Sequence, residues 1–325
     1  MSSAPSPARR IHPTVLTAAL TLSLLTVAAC GSGSATSQGT EPPQSPAESS
    51  GTSGGASSEP TPSAPTTAAP TPETTTPTPA DGSGDTAAKK IRTAVYFLHG
   101  EKVSAAPRTV ATPATAASAL RALLAGPSRT EGRSARTTAI PSGTALRSVV
   151  IRDHIATVDL SDRYDDGGGS LSMRARLAQV VFTVTRFPSV HKVSFEIEGA
   201  PVKHLGGEGV VLNGPVGRAD FEDLTPAVLV ESPMLGDTVR SRLRVWGTAD
   251  TFEAEFRLKV TDVTGRTAAD VQVRATSGTG QRGTFDVTFP YKAVRSGPGL
   301  LTAYYVSPED GRPVTVDTVP LTVNR

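Results

Sequence analysis

The amino-acid sequence predicts an α+β domain over residues 89–223, followed by an all-β sandwich over residues 224–325. In the first region, runs of β-branched and aromatic residues alternate with two stretches whose apolar residues recur at helical spacing. In the second, apolar and polar residues alternate in about seven short runs separated by turn residues. Residues 30–88 consist mainly of Ser, Thr, Pro, Gly and Ala, which predicts a disordered tether before the folded part.

The N-terminus has the pattern of a secretory signal that ends at a cysteine. Two arginines near the start precede an apolar run over residues 15–27, which is too short to span a membrane as a helix. The segment Leu25–Cys30 resembles the lipobox of bacterial lipoproteins. That resemblance implies that residues 1–29 are a signal peptide and that Cys30 becomes a lipid-modified N-terminus. The protein is then held at the cell membrane on its extracytoplasmic side; an ordinary signal cleaved elsewhere is the alternative.

Charge and composition limit the classes of partner. Two of the 32 basic residues and six of the 30 acidic residues precede residue 89, so 30 basic and 24 acidic residues remain in the folded part. Most of this excess lies in the first domain. Such a balance favours anionic partners. Aromatic residues make up 5% of the chain, which argues against a stacking platform for single-stranded nucleic acid, and we expect no nucleic-acid partner.

The first region begins with a predicted strand over residues 92–98, rich in β-branched and aromatic residues. Thr112 is expected to cap a first helix, because Pro113 follows it at the first helical position. The remaining predicted elements are a hairpin of strands over 146–151 and 155–160, a second helix capped by Ser170, and a strand over 190–197.

Seven short segments of this region occur in the order and spacing of a known module. They are Tyr96-Phe97, Leu123–Pro127, Ile140–Thr144, Ala156–Ser161, Gln179–Thr183, Val190–Phe195 and Gly199–Val202. Together they resemble the GerMN domain of sporulation and germination lipoproteins. The resemblance implies a small α+β domain with helices on one face of a sheet, used for envelope assembly rather than for catalysis.

The alternating strands of the second region predict an immunoglobulin-like sandwich. Its core lacks a disulfide, because the single cysteine of the chain lies at position 30. Trp246 is expected in the sandwich core or at its edge. Four segments resemble the immunoglobulin-like domain that accompanies GerMN in bacterial spore-germination-type lipoproteins. They are Glu231–Pro233 with Gly236, Val245–Ala249, Phe252–Ala254 and Ser307–Gly311.

Residue types that could support catalysis or metal binding occur in the first domain without the spacing that those sites need. Its four histidines form neither H-x-x-x-H nor H-E-x-x-H, so no zinc site is predicted. Asp159, Ser161 and His154 could suggest a triad, but no G-x-S-x-G elbow accompanies them. The acidic loop over 162–166 lacks the ligand series of a calcium site. We therefore predict no catalytic, metal-binding or cofactor-binding residues.

Four arginines are the candidate partner-binding residues: Arg121, Arg129, Arg133 and Arg136. They lie at the first helix and in the loop after it, where a basic face would attract an anionic wall polymer or an acidic envelope protein. A solvated face without a partner is the alternative. We therefore predict a lipid-anchored envelope protein that acts as a non-catalytic binding or scaffold module of the sporulation and germination type. The alternatives are a cell-wall-modifying enzyme with an unrecognised site and a solute-binding lipoprotein.

Overall fold

A computed structural model describes residues 89–111, 115–207 and 209–325. The predicted signal peptide, Cys30 and the tether lie outside these residues. Within the described residues, no helix has the length and hydropathy needed to cross a membrane. The elements before residue 218 are β1 (Lys90–His99), β2 (Lys102–Ala111), α1 (Ala116–Leu124), α2 (Arg129–Arg133), β3 (Arg136–Thr137), β4 (Leu146–Arg152), β5 (Ile155–Leu160), α3 (Ser170–Val184), β6 (Lys192–Ile197), β7 (Ala200–Pro201), β8 (His204–Leu205) and β9 (Val210–Val211).

The first domain is α+β, as predicted. Its strands form a β2-β1-β3 sheet, a β4-β5-β6-β7 sheet and a two-stranded β8-β9 ribbon. The parallel strands β5 and β6 are connected through α3, which packs against β1 and α1. Large side chains from each layer meet in one core. Among those that are completely or almost completely buried are Tyr96, Phe97, Leu120, Tyr164 and Phe182.

The hairpin of β4 and β5 confirms the sequence prediction. Its turn is formed by Asp153 and His154, whose φ angles of 49° and 62° are both left-handed. Two consecutive left-handed residues give the backbone twist that matches a two-residue hairpin connection.

Strand β2 was not predicted, although all ten of its residues pair with β1. The middle of the strand consists of Ala105, Ala106 and Pro107 in place of the usual β-branched residues. These three residues have low β-propensity, so the local sequence does not indicate a strand. Pairing with β1 and burial override that propensity.

The first helix begins later than the sequence predicted. It starts at Ala116, and the Thr115 hydroxyl accepts a hydrogen bond from Ser118 N at 3.2 Å. Thr115 is therefore the N-cap, and the prediction of a cap at Thr112, which lies outside the described residues, was wrong.

The cap of α3 was also predicted one residue too late. Gly169 occupies the N-cap position, and Ser170 is the first helical residue. The apolar positions predicted for this helix are all buried, Met173 and Leu177 among them. The helical spacing was thus confirmed, while the terminal residue was not.

The second domain is a sandwich of two sheets. Its strands are β10 (Val228–Ser232), β11 (Thr238–Val239), β12 (Leu243–Ala249), β13 (Glu255–Thr261), β14 (Thr267–Arg274), β15 (Gly283–Phe289), β16 (Gly297–Val306) and β17 (Pro313–Val323). The strand orders of the two sheets are β10-β12-β15 and β11-β17-β16-β13-β14. The core between them contains Phe256 and Phe285, whose ring centroids lie 4.8 Å apart in an edge-to-face arrangement.

Strand β10 contributes to both hydrophobic cores. Val228 and Val230 point into the sandwich, whereas Leu229, on the opposite face, packs in the core of the first domain together with Met234. Alternate residues of a strand face opposite sides of its sheet, so a single strand can bury both faces. Apolar packing therefore continues across the predicted boundary between residues 223 and 224.

Candidate functional site

Three of the four predicted partner-binding arginines are exposed. Arg121 lies in the last turn of α1, and Arg129 and Arg133 lie one turn apart on α2. Their side chains face solvent, as a basic face requires. Whether a partner binds there stays a prediction.

Arg136 does not belong to this face, which corrects the prediction for that residue. It is 2% exposed, and its guanidinium donates hydrogen bonds to Ser134 O at 2.8 Å and to Thr318 O of the second domain at 2.9 Å. Burial lowers the pKa of Arg136, while nearby Asp317 opposes that effect. The predicted loop contains strand β3, which pairs with the end of β1. The hydrogen bond from Arg136 to Thr318 places this segment at the domain interface. Arg136 therefore has a structural role.

A buried ion-pair cluster lies at the domain interface. Glu231 of β10 is 4% exposed and accepts hydrogen bonds from Arg218 at 2.5 Å and from Arg186 at 3.1 Å. The guanidinium of Arg218 also lies 5.3 Å from the ring centroid of Tyr96 and 4.8 Å from that of Phe182. Burial raises the pKa of Tyr96 above its usual range, so its hydroxyl stays protonated. We call Glu231, Arg186 and Arg218 the Glu231 cluster.

Two ion pairs and one hydrogen bond to a backbone carbonyl make further contacts of the first domain and its connector. Arg92 on β1 pairs with Asp237, and Arg282 pairs with Glu222 at 2.5 Å. Lys102 Nζ donates to Asp223 O at 2.6 Å from the start of β2. The two ion pairs join the first domain and its connector to the second domain, and they support a fixed arrangement of the two. The Lys102 contact holds β2 to the connector.

An open groove of about 720 Å³ runs along the outer face of the three-stranded sheet, beside the Glu231 cluster. Outward side chains of β12 and β15 line it, with Trp246 paired to Asp286 and Thr248 paired to Thr284 in the strand register. Arg274, at the end of β14, lies on the other side. We call this the interdomain groove.

Trp246 therefore occupies neither of its predicted positions. It lies on the central strand β12, on the face opposite the sandwich core, and is half-buried. The Arg186 guanidinium is 4.5 Å from the centroid of the indole ring. Alternation within β12 could have placed Trp246 on the outer face, since Val245 and Gly247 are the inward positions. Nothing in the sequence around Trp246 indicated that Arg186 would pack over the indole ring.

The residues considered for a triad are held in structural hydrogen bonds. Asp159 accepts from Gly199 N at 3.0 Å and from Arg147 Nε at 3.3 Å. Ser161 Oγ accepts from Ala145 N at 3.0 Å. The third candidate, His154, stacks on His191 with 4.5 Å between ring centroids. These groups thus stabilise the β4–β5 hairpin and its neighbours.

The acidic loop and the histidines form no metal cluster within the described residues. Asp165 Oδ1 accepts a hydrogen bond from Gly206 N at 2.5 Å, which connects the loop to the β8–β9 ribbon. Across residues 89–111, 115–207 and 209–325, no three His, Cys, Asp or Glu side chains are grouped so that they could hold an ion.

Comparison with known proteins identifies two families along the chain. Residues 94–203 match the Germane family, described as sporulation and spore germination. Residues 227–312 match the Gmad2 family, described as the immunoglobulin-like domain of bacterial spore germination. No curated protein matches the chain significantly.

Several solved structures are similar to parts of the chain. The first GerMN domain of the sporulation protein GerM from Bacillus subtilis is 20% identical, with 40% of this chain and 99% of that one covered and a TM-score of 0.33. The tandem GerMN domains of the same protein are 13% identical over 62% of each chain, with a TM-score of 0.35. A putative lipoprotein from Clostridium perfringens is 24% identical, with 42% and 93% covered and a TM-score of 0.30.

Proposed function

We propose that this chain is a non-catalytic binding or scaffold module of the cell envelope, because it carries a domain of the sporulation and spore-germination family followed by an immunoglobulin-like domain of bacterial spore germination. It is lipid-anchored through Cys30 and faces the extracytoplasmic side. Its partner is an anionic wall polymer or an acidic envelope protein.

The observation that carries this proposal is the buried Glu231 cluster beside an open groove. The cluster fixes two domains as one unit, so the surface that they share is already formed before a partner arrives. A preformed surface binds without the cost of ordering its own side chains and loops. Two of the polar groups considered for catalysis in the first domain, Asp159 and Ser161, are engaged in structural hydrogen bonds.

The proposal of a lipid anchor rests on the segment Leu25–Cys30. Each buried CH₂ of an acyl chain contributes about 0.8 kcal/mol to membrane binding, so two or more chains on Cys30 would hold the protein firmly. The following residues 31–88 would then act as a spacer between the membrane and the domains.

Replacement of Cys30 tests the anchor. We expect Cys30→Ser to abolish incorporation of labelled fatty acid and to leave an unprocessed or released protein, whereas Ser32→Ala is the matched control and should behave as wild type. The measurements are fatty-acid labelling and detergent-phase partitioning of cell fractions. If the Cys30→Ser protein still partitions as a mature, labelled lipoprotein, the assignment of Cys30 is wrong.

A further inference from the structure

We propose that the interdomain groove binds an acidic saccharide chain, an inference that rests on the proposed envelope function. The groove is a different surface from the exposed face of Arg121, Arg129 and Arg133. Its volume of about 720 Å³ lies within the range of about 300–1,000 Å³ that is typical of ligand sites.

The groove exists because the first domain covers one edge of the three-stranded sheet and leaves the remainder open. On β10, the outward Leu229 is buried against the first domain. On β12 and β15, the outward residues remain accessible and line the groove. The floor is therefore a sheet face that runs along two paired strands, and its wall is the Glu231 cluster. This shape suits an extended chain.

The charge of the groove favours an acidic ligand. Arg186 and Arg218 share one carboxylate, that of Glu231, and Arg244 is paired with Asp286 at 2.5 Å. Arg274 forms no ion pair with the residues that the structure describes. The guanidiniums of Arg218, Arg244 and Arg274 thus line the groove with two carboxylates, and that of Arg186 lies over the Trp246 ring. Guanidinium groups bind carboxylates and phosphates with paired, charge-assisted hydrogen bonds.

The uncharged lining favours a saccharide among acidic ligands. Three hydroxyl groups line the groove, those of Thr248, Thr276 and Thr284. The Thr276 and Thr284 hydroxyls lie 3.4 Å apart, and because a hydroxyl has one donor and two acceptor positions, this set retains capacity to bond the hydroxyls of a sugar. The Trp246 ring supplies an apolar surface with a polar N–H. The other aromatic residue of the lining, Phe285, is 5% exposed and packs in the sandwich core, so the groove offers no series of accessible rings for a run of stacked nucleobases.

Trp246 also supplies the readout, because it is the single tryptophan in the 325 residues. The full chain is titrated with polygalacturonate oligosaccharides, with phosphomannan oligosaccharides and with neutral dextran, and its tryptophan fluorescence is followed. We expect a saturable change with either acidic saccharide and none with dextran. The preferred acidic probe identifies carboxylate or phosphate as the recognised group. Affinity should fall by about tenfold between about 50 and about 500 mM salt.

Matched variants separate the groove from the exposed basic face. Arg274→Gln should weaken binding of the acidic probes by about tenfold, since it removes one charge-assisted contact. The control, Arg129→Gln with Arg133→Gln, removes charge outside the groove and should leave affinity within about twofold. Thermal unfolding checks that each variant is folded, and calorimetry provides a second measure of binding.

Three outcomes would overturn the proposal. Equal binding of dextran would show that acidity is not recognised. Loss of affinity in the Arg129/Arg133 variant, with Arg274→Gln unchanged, would move the site to the exposed face. An absence of binding by fluorescence and calorimetry at low salt would exclude acidic saccharides. None of these results alters the fractionation test of Cys30, so failure of this inference is distinguishable from failure of the proposed function.

Discussion

Replacement of Glu231 by Gln should destabilise the protein strongly, although the two side chains have nearly the same shape. Glu231 is the carboxylate that balances both Arg186 and Arg218. Its side chain is 5% exposed, whereas each arginine side chain is 28% exposed. The variant would leave two guanidiniums next to each other without their counter-ion. It would also weaken the contact between β10 and the first domain.

The magnitude follows from this partial burial. Removal of one partner of a buried ion pair costs about 3–5 kcal/mol in free energy of unfolding. Because water reaches the two arginines in part, we expect the lower limit, about 3 kcal/mol. For a folded part of this size, each kcal/mol lowers Tm by about 2–4 °C, so Tm should fall by about 6–12 °C.

The assay is thermal and urea unfolding of the full chain, followed by circular dichroism. Asp286→Asn is the control, because it removes the same charge from an ion pair at the surface. In that pair the side chains of Arg244 and Asp286 are 65% and 51% exposed. Exposed pairs contribute little to stability. Equal shifts in Tm for Glu231→Gln and Asp286→Asn would refute the assignment of interface stability to the Glu231 cluster.

Two further predictions concern single side chains. Arg136→Ala should lower the free energy of unfolding by about 2 kcal/mol, since the carbonyls of Ser134 and Thr318 lose their hydrogen-bond donor, whereas exposed Arg133→Ala should change it by less than about 0.5 kcal/mol. Urea unfolding measures both, and similar losses would contradict the burial of Arg136. Hydrogen bonds from Thr264 and the Val294 backbone N–H, with others, lower the pKa of Asp262 to about 2. A carboxylate with a depressed pKa in the folded state stabilises it above its unfolded pKa of about 3.9, and that contribution disappears as pH falls through the folded value. The stability difference between wild type and Asp262→Asn should therefore be constant above about pH 5 and shrink toward about pH 2; a difference that does not depend on pH would show that the carboxylate charge is not involved.

The fold class and most elements could be predicted because their signals are local. The spacing of Met173 and Leu177 predicts α3 from residues within a few turns of one another. In the same way, the alternation within β12 and β13 predicts strands with one buried face. Strand β2 escaped prediction because its small residues and Pro107 have little β-propensity, and its partner strand supplies the stabilisation.

The amino-acid sequence by itself determined that an α+β domain precedes a β-sandwich, and it determined which residues could be charged or apolar. Tertiary structure decided which of those residues work together. Arg136 was expected on an exposed face, yet it hydrogen-bonds Thr318, 182 positions away. Trp246 and Arg186 meet at the interdomain groove from different domains. Burial and pairing of a side chain depend on segments that are distant along the chain, and local periodicity carries no information about where those segments dock.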